Sequence, residues 1–266
     1  MPAHRPRKRF GQNFLHDPDV IRRIIDCIRP ADDQALVEIG PGQGALTRPL
    51  LERLAHLDVI EIDRDLAGAL RGLDYPTQQL CIHEADALKF DFPALATERG
   101  GHLRLVGNLP YNISTPLLFH VLEHADVIQD MHFMLQKEVV QRMAADPGGS
   151  EYGRLTVMLA WRCRVEPLFD IAPGAFNPPP RVTSSLVRLV PHPRLPFEVG
   201  DPDLFREVVS QAFSHRRKTL RNALSRLIDA HSLEQLGINA TLRPQMLAPA
   251  DFARISRALT ANNQPG

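Results

Sequence analysis

The 266-residue sequence predicts an α/β protein: a mostly parallel, doubly wound sheet with a closing antiparallel pair, followed by a small all-helical C-terminal domain. Short apolar runs alternate with stretches of helical spacing through the first two thirds of the chain, the order expected of strands joined by crossover helices. The last two strand candidates are separated only by APGAFNPPPRV, which has no helical pattern, so they are expected to lie antiparallel at the sheet edge. Beyond PHPRLPFEVGDP (191–202), with its four prolines, only helical spacing remains.

The first β-α unit reads ALVEIG–PGQG–ALTRPLLERL, an apolar run from Ala35 to Ile39, a glycine-rich turn, then Leu46, Leu50, Leu51 and Leu54 at helical spacing. LDVIEID is the second strand and QQLCIHEAD the third. HLRLVGN is the fourth and runs through LPYN into a helix carrying Leu117, Leu118, Val121 and Leu122. An MHFMLQ strand, an EVVQRM helix, a long LTVMLAWRCRVEPLF segment read as strand and finally TSSLVRLV complete the sheet. Leu204, Val208, Ala212 and then Leu220, Leu224, Leu227 mark helices after the boundary. The expected domains are therefore 1–195, with a basic N-terminal segment, and 196–266.

Charge is neutral in total, 31 cationic against 31 anionic side chains, but unevenly placed. Residues 1–30 carry net +4 and 201–266 net +3, against −7 for the middle, so a polyanion would be held at the two ends. Solvated charges that happen to sort this way are the plainer alternative. The basic runs are Arg5, Arg7, Lys8, Arg9 and His215, Arg216, Arg217, Lys218, Arg221. No run of about 18 apolar residues exists and the N-terminus lacks an apolar stretch, so neither a membrane span nor secretion is expected, and the cytoplasm fits best. Cys27, Cys81 and Cys163 are far apart and outside any CxxC pair, so neither a disulfide framework nor a zinc site is expected.

Gly40, Gly42 and Gly44 sit between a strand and a helix, where glycine allows a sharp turn and close approach of a ligand to the backbone. Any strand–helix turn can carry glycines. Glu61, at the end of the second strand, adds the carboxylate that accepts hydrogen bonds from both ribose hydroxyls of an adenosine moiety. The spacing E-I-G-P-G-Q-G departs from the dinucleotide fingerprint and resembles the S-adenosylmethionine turn of class I methyltransferases. Asp86, after the third strand, then falls where such enzymes bind the adenine amino group; an exposed loop acid is the alternative.

Asn108-Leu109-Pro110-Tyr111 follows the fourth strand. The exocyclic amine of adenine is a poor nucleophile because its lone pair is delocalised into the ring. Two acceptors on its two N–H groups favour a more tetrahedral nitrogen; an Asn oxygen and a neighbouring carbonyl, stiffened by proline, supply them. An aromatic ring stacks on the base and fixes its plane. A plain turn is the alternative, weakened by the position of the tetrad beside the glycine turn.

KRFGQNFLHD (8–17), VEIGPGQGALT (37–47), VIEIDRDL (59–66), EADAL (84–88), VGNLPYNIS (106–114), FNPPPRVTSSLVRL (176–189) and FSHRRKTLRN (213–222) together closely resemble the KsgA/RsmA family, the small-subunit ribosomal RNA adenine dimethyltransferases. The resemblance implies a Rossmann-like class I methyltransferase that moves two methyl groups from S-adenosylmethionine to each of two adjacent adenines of 16S rRNA in the 30S subunit; nothing in the sequence demands a dimer, so a monomer is expected, and no metal is expected. It implies cofactor contacts from Asn13, Leu15, Gly40, Gly42, Glu61, Asp86 and Asn108, and catalytic roles for Asn108, Leu109, Pro110 and Tyr111. Phe176 would sandwich the base against Tyr111, whereas the residues alone read better as a core plug. Arg7, Lys8, Arg9, Arg181, Arg216, Arg217, Lys218 and Arg221 would meet RNA; Arg181 stands where the family often has Lys. The rivals are the large-subunit adenine dimethyltransferases of macrolide resistance and a non-catalytic RNA-binding factor on the same scaffold. A DNA adenine methyltransferase fits NLPY poorly, and a nicotinamide oxidoreductase leaves the tetrad without a task.

Overall fold

The structure, a computed structural model, describes residues 13–73, 75–76, 78–110, 113–215 and 217–263. The expected site residues Arg7, Lys8, Arg9, Tyr111 and Arg216 lie outside the described residues. In chain order the first elements are β1 (Phe14–Leu15), α1 (Pro18–Ile28), β2 (Ala35–Ile39), α2 (Thr47–Leu51), β3 (Leu57–Glu61), α3 (Arg64–Arg71), β4 (Leu80–Glu84), α4 (Phe92–Glu98) and β5 (Leu103–Asn108). They continue with α5 (Ser114–Glu123), β6 (Ile128–Gln136), α6 (Lys137–Met143), α7 (Arg154–Arg162), β7 (Cys163–Ile171), β8 (Phe176–Asn177) and β9 (Ser184–Pro191).

A seven-stranded sheet has the order β4-β3-β2-β5-β6-β9-β7. β2 is parallel to both β3 and β5, β3 to β4, and β5 to β6, while β9 runs antiparallel to β6. Ser185 donates to Asp170 and Arg188 to Glu166, so β7 and β9 also run in opposite senses. The chain starts in the middle with β2, builds outward to β4, then returns to place β5 on the other flank of β2. That reversal opens a crevice at the carboxyl ends of β2 and β5, where open α/β sheets bind their ligands. β1 and β8 form a separate two-stranded pair, Phe14 opposite Asn177 and Leu15 opposite Phe176.

α1 begins at Asp17, whose carboxylate accepts from the N–H groups of Asp19 and Val20, and buries Ile24, Ile25 and Ile28. Its far end is bound by Arg104 of β5, which is 5% exposed. The guanidinium donates to both oxygens of Asp130, to the Ile28 and Arg29 carbonyls and to Gln34. All five N–H donors are thereby used, which lets a buried charge pair persist in the interior.

The long segment 154–171 differs from its expected strand character. Its first half is helix α7, with Val157, Met158, Leu159 and Trp161 all buried, and only its second half is strand. A helix buried on most sides shows no clean period, so spacing alone reads like a buried strand.

The chain divides into two compact units, 1–140 with 166–191, and 141–165 with 192–266. The expected division at 195/196 is corrected here: residues 141–165 belong to the second unit. Trp161 of α7 packs edge-on to Phe205 with ring centroids 5.3 Å apart, and Tyr152 packs on Phe213. The second unit adds α8 (Pro202–Ala212), α9 (Leu220–Ala223), α10 (Ala230–Gln235) and α11 (Pro249–Asn263). Its core joins Phe205, Val208, Phe252 and Ile255, all fully buried. No helix among the described residues is long and apolar enough to cross a membrane.

Candidate active site

A cavity of about 310 Å³ opens at the carboxyl ends of β2, β3 and β5, in the range of small-ligand clefts (about 300–1,000 Å³). Asn13, Leu15, Gly40, Gly42, Glu61, Asp86, Asn108, Leu109 and Pro110 all line it, so nine expected site residues meet in one place. Two turns build its floor. Gly40 and Gly42 have φ of +67° and +57°, a backbone region that side chains disfavour, and a Cβ on Gly42 would lie 3.1 Å from the Phe14 ring.

Glu61 is 5% exposed and held from two sides, Oε2 accepting from the Gly42 N–H at 3.2 Å and Oε1 from the Asp63 N–H at 2.8 Å. Each oxygen keeps a further lone pair for a diol. Burial raises the carboxyl's pKa, and the two backbone N–H groups act against that rise. Asp86 Oδ1 caps the turn after β4 by accepting from the Leu88 N–H at 3.0 Å, and the residue lines the cavity. Ile62, 51% exposed, lines the same wall and offers an apolar face to a flat ring. A glycine cradle, an oriented carboxylate and an apolar ledge fit an adenosine-bearing cofactor.

Asn108 Nδ2 donates to the Asn13 carbonyl at 2.8 Å. The amide's orientation follows: its nitrogen is engaged, and Oδ1 is the group left to accept. Beside it, the Leu109 N–H donates to the Met134 carbonyl, and the Pro110 carbonyl accepts from Ile113. Among the described residues no donor reaches the Leu109 carbonyl. Two acceptors are thus held on adjacent residues, one by side-chain tethering and one by proline-stiffened backbone.

Phe176, expected beside Tyr111, belongs to the buried core. It is 2% exposed, joins the core with Leu15, Ile24 and Met134, and is absent from the cavity wall. Across the β1–β8 pair it is opposite Leu15, and Tyr111 lies outside the described residues. Arg181, Arg217, Lys218 and Arg221 are exposed, while Leu220 and Leu224 of the same run are buried anchors.

Sequence reasoning overlooked Glu38 and Gly107. A Cβ on Gly107 would lie 2.3 Å from the Ile39 carbonyl oxygen, so glycine is required where β5 passes β2. Glu38 is 2% exposed, lines the cavity and accepts from the Thr47 hydroxyl at 2.6 Å. Burial pushes its carboxyl up to about 7, the Thr47 hydrogen bond opposing and the Glu61 charge adding. Between its ordinary value of 4.5 and about 7 the folded chain holds a proton that the unfolded chain has lost. The stability from this group is full below 4.5 and is lost as pH rises to about 7. Relative to Glu38→Gln, the wild type is expected to lose about 3 kcal/mol of unfolding free energy across that window. Urea denaturation at a series of pH values checks this, and a difference independent of pH contradicts it.

The fold and this crevice together define a class I S-adenosylmethionine-dependent methyltransferase. The family model for ribosomal RNA adenine dimethylase matches residues 3–261. The chain belongs to that family, whose members are S-adenosylmethionine-dependent adenine N6,N6-dimethyltransferases. It is 56% identical over 259 residues to ribosomal RNA small subunit methyltransferase A of Pseudomonas aeruginosa, covering 96% of this chain and 95% of that one. The protein of the same name from Aromatoleum aromaticum is 55% identical over 263 residues, covering 99% and 97%. Among solved structures, a dimethyladenosine transferase from Plasmodium falciparum superposes with a TM-score of 0.76 at 26% identity, covering 91% of this chain and 95% of that one. The 23S rRNA methyltransferase ErmE gives 0.69, also at 26% identity, covering 93% and 99%.

Proposed function

We propose that this enzyme dimethylates the exocyclic N6 amines of two adjacent adenines of 16S rRNA within the small ribosomal subunit, as a cytoplasmic monomer acting during 30S biogenesis. The observation that carries the reading is the Asn108–Asn13 hydrogen bond, which leaves Oδ1 of Asn108 as an acceptor at the mouth of the cofactor crevice. When bound, S-adenosylmethionine supplies an electrophilic methyl group. Gly40, Gly42, Glu61 and Asp86 would hold its adenosine portion, and Asn13 and Leu15 would cover it. Asn108 Oδ1 and the Leu109 carbonyl each accept one N–H of the target amine, drawing its lone pair out of conjugation and aiming it into the crevice. The methyl carbon would leave sulfur, which becomes a neutral thioether, for the amine, which becomes cationic and acidic and would give its proton to solvent; no strong general base is required. Tyr111, from the sequence resemblance, is the stacking partner of the base.

Exposed Arg181, Arg217, Lys218 and Arg221, with Arg7, Lys8, Arg9 and Arg216 from the sequence, suit phosphate contacts on a shaped ribosomal surface. The small-subunit assignment is supported by the names of relatives at 53–56% identity, against 26% for the 23S rRNA enzyme. A non-catalytic role is opposed by the retention of every described cofactor-site residue. Incubation with labelled cofactor and unmethylated 30S and 50S particles tests the choice. Label is expected in 30S; label confined to 50S overturns the assignment.

A further inference from the structure

Away from the active site, strands β3 and β4 bring together three groups that methyl transfer does not use. Asp58 and Cys81 are opposite one another across the two strands, and Cys81 and His83, two apart on β4, share one face of the sheet. An Asp58 oxygen, Cys81 Sγ and a ring nitrogen of His83 all lie within 4.8 Å of one another. Asp58 is fully buried, while Cys81 and His83 are only half-buried, so the cluster is reachable from solvent.

Both oxygens of Asp58 are contacted by neighbouring side chains, and the Cys81 thiol is hydrogen-bonded to the same carboxylate. Arg99 occupies one lone pair of each oxygen, Nε to Oδ2 at 2.7 Å and Nη2 to Oδ1 at 2.8 Å. The other lone pairs face two histidines, His83 Nε2 at 2.8 Å from Oδ1 and His56 Nε2 at 3.1 Å from Oδ2. His56 Nδ1 lies 2.6 Å from the Gln78 carbonyl, which only accepts, so Nδ1 carries a proton.

We propose that Asp58, Cys81 and His83 form a three-donor binding site for a thiophilic divalent cation of the zinc class. One carboxylate oxygen, one thiolate and imidazole nitrogen are the donors such ions select. As the metal–sulfur bond forms, the Cys81 thiol proton passes to solvent, and the thiolate and carboxylate charges balance the ion. His83 binds through the Nε2 lone pair, its remaining proton moving to Nδ1. Metal–ligand bonds of about 2.0–2.1 Å at a tetrahedral angle separate nitrogen and oxygen by about 3.3 Å, so the 2.8 Å contact of His83 with Asp58 opens by about half an ångström. Arg99 stays on the outer lone pairs and orients the carboxylate. Such an ion clips together the two strands whose ends carry Glu61 and lead to Asp86. CxxC spacing does not reveal the site, because its donors come from two strands.

Titration of the reduced full-length protein with Co²⁺ tests this. The expected result is one equivalent bound, with visible bands of tetrahedral cobalt and a sulfur-to-cobalt charge-transfer band, both abolished when Zn²⁺ displaces the ion. Cys81→Ser loses the charge-transfer band, Cys27→Ser keeps it, and His83→Gln weakens binding at least about tenfold. A wild type without the charge-transfer band, or a band that survives Cys81→Ser, overturns the proposal.

Discussion

An Asn108→Ala enzyme is expected to bind small-subunit particles normally and to transfer methyl groups on the order of 100–1,000-fold more slowly. Removing one preorganised polar partner of the reacting group carries a loss of that size. The substitution also removes the Nδ2 hydrogen bond to the Asn13 carbonyl, so the segment that lines the cofactor cavity loosens and cofactor affinity falls with the rate. Asn108→Asp separates the two effects. It keeps the shape and an acceptor, but sets a carboxylate oxygen against the Asn13 carbonyl at the 2.8 Å position that a donor now fills. Its rate at saturating cofactor is expected to exceed that of the alanine variant, while its cofactor affinity is weaker than wild type. Single-turnover transfer to 30S particles, paired with equilibrium cofactor binding, measures both. Wild-type rates from the alanine variant contradict the amine-positioning role.

Gly107→Ala is expected to be the most damaging small substitution in the first unit. Its Cβ would stand 2.3 Å from the Ile39 carbonyl oxygen and 3.3 Å from the carbon of the same carbonyl. Both are backbone atoms of the central strand β2, and no side-chain rotation relieves the clash. Ordinary over-packing costs about 1–3 kcal/mol, and a clash between two central strands exceeds that range. Ile39 precedes Gly40 and Gly107 precedes Asn108, so forcing the strands apart also separates the glycine turn from the Asn108 carboxamide. Urea unfolding should show a loss above about 3 kcal/mol, and any folded fraction should bind cofactor poorly. Wild-type stability would show that the close approach is dispensable.

The sheet was legible because its strands are short apolar runs broken by glycine and polar turns, and the cofactor crevice because Gly40, Glu61, Asp86 and Asn108 each lie at or just past the end of a strand. Nine expected residues line one cavity for that topological reason. What stayed hidden depends on packing. α7 is buried on so many sides that its pattern loses the helical period. From the residues alone Phe176 reads better as a core plug, and the structure buries it with Leu15, Ile24 and Met134. Gly107 had a signal, a glycine inside a strand, which marks close backbone approach. Glu38 had none: a carboxylate in an apolar strand becomes informative only once its burial and its Thr47 partner are seen.

The most direct measurement is mass analysis of the nucleosides released from undermethylated small subunits after reaction with the enzyme and S-adenosylmethionine. The account predicts N6,N6-dimethyladenosine as the product, absent when Asn108→Ala replaces the wild type. Methylation at a ring nitrogen or a ribose oxygen, or on a base without an exocyclic amine, would contradict it.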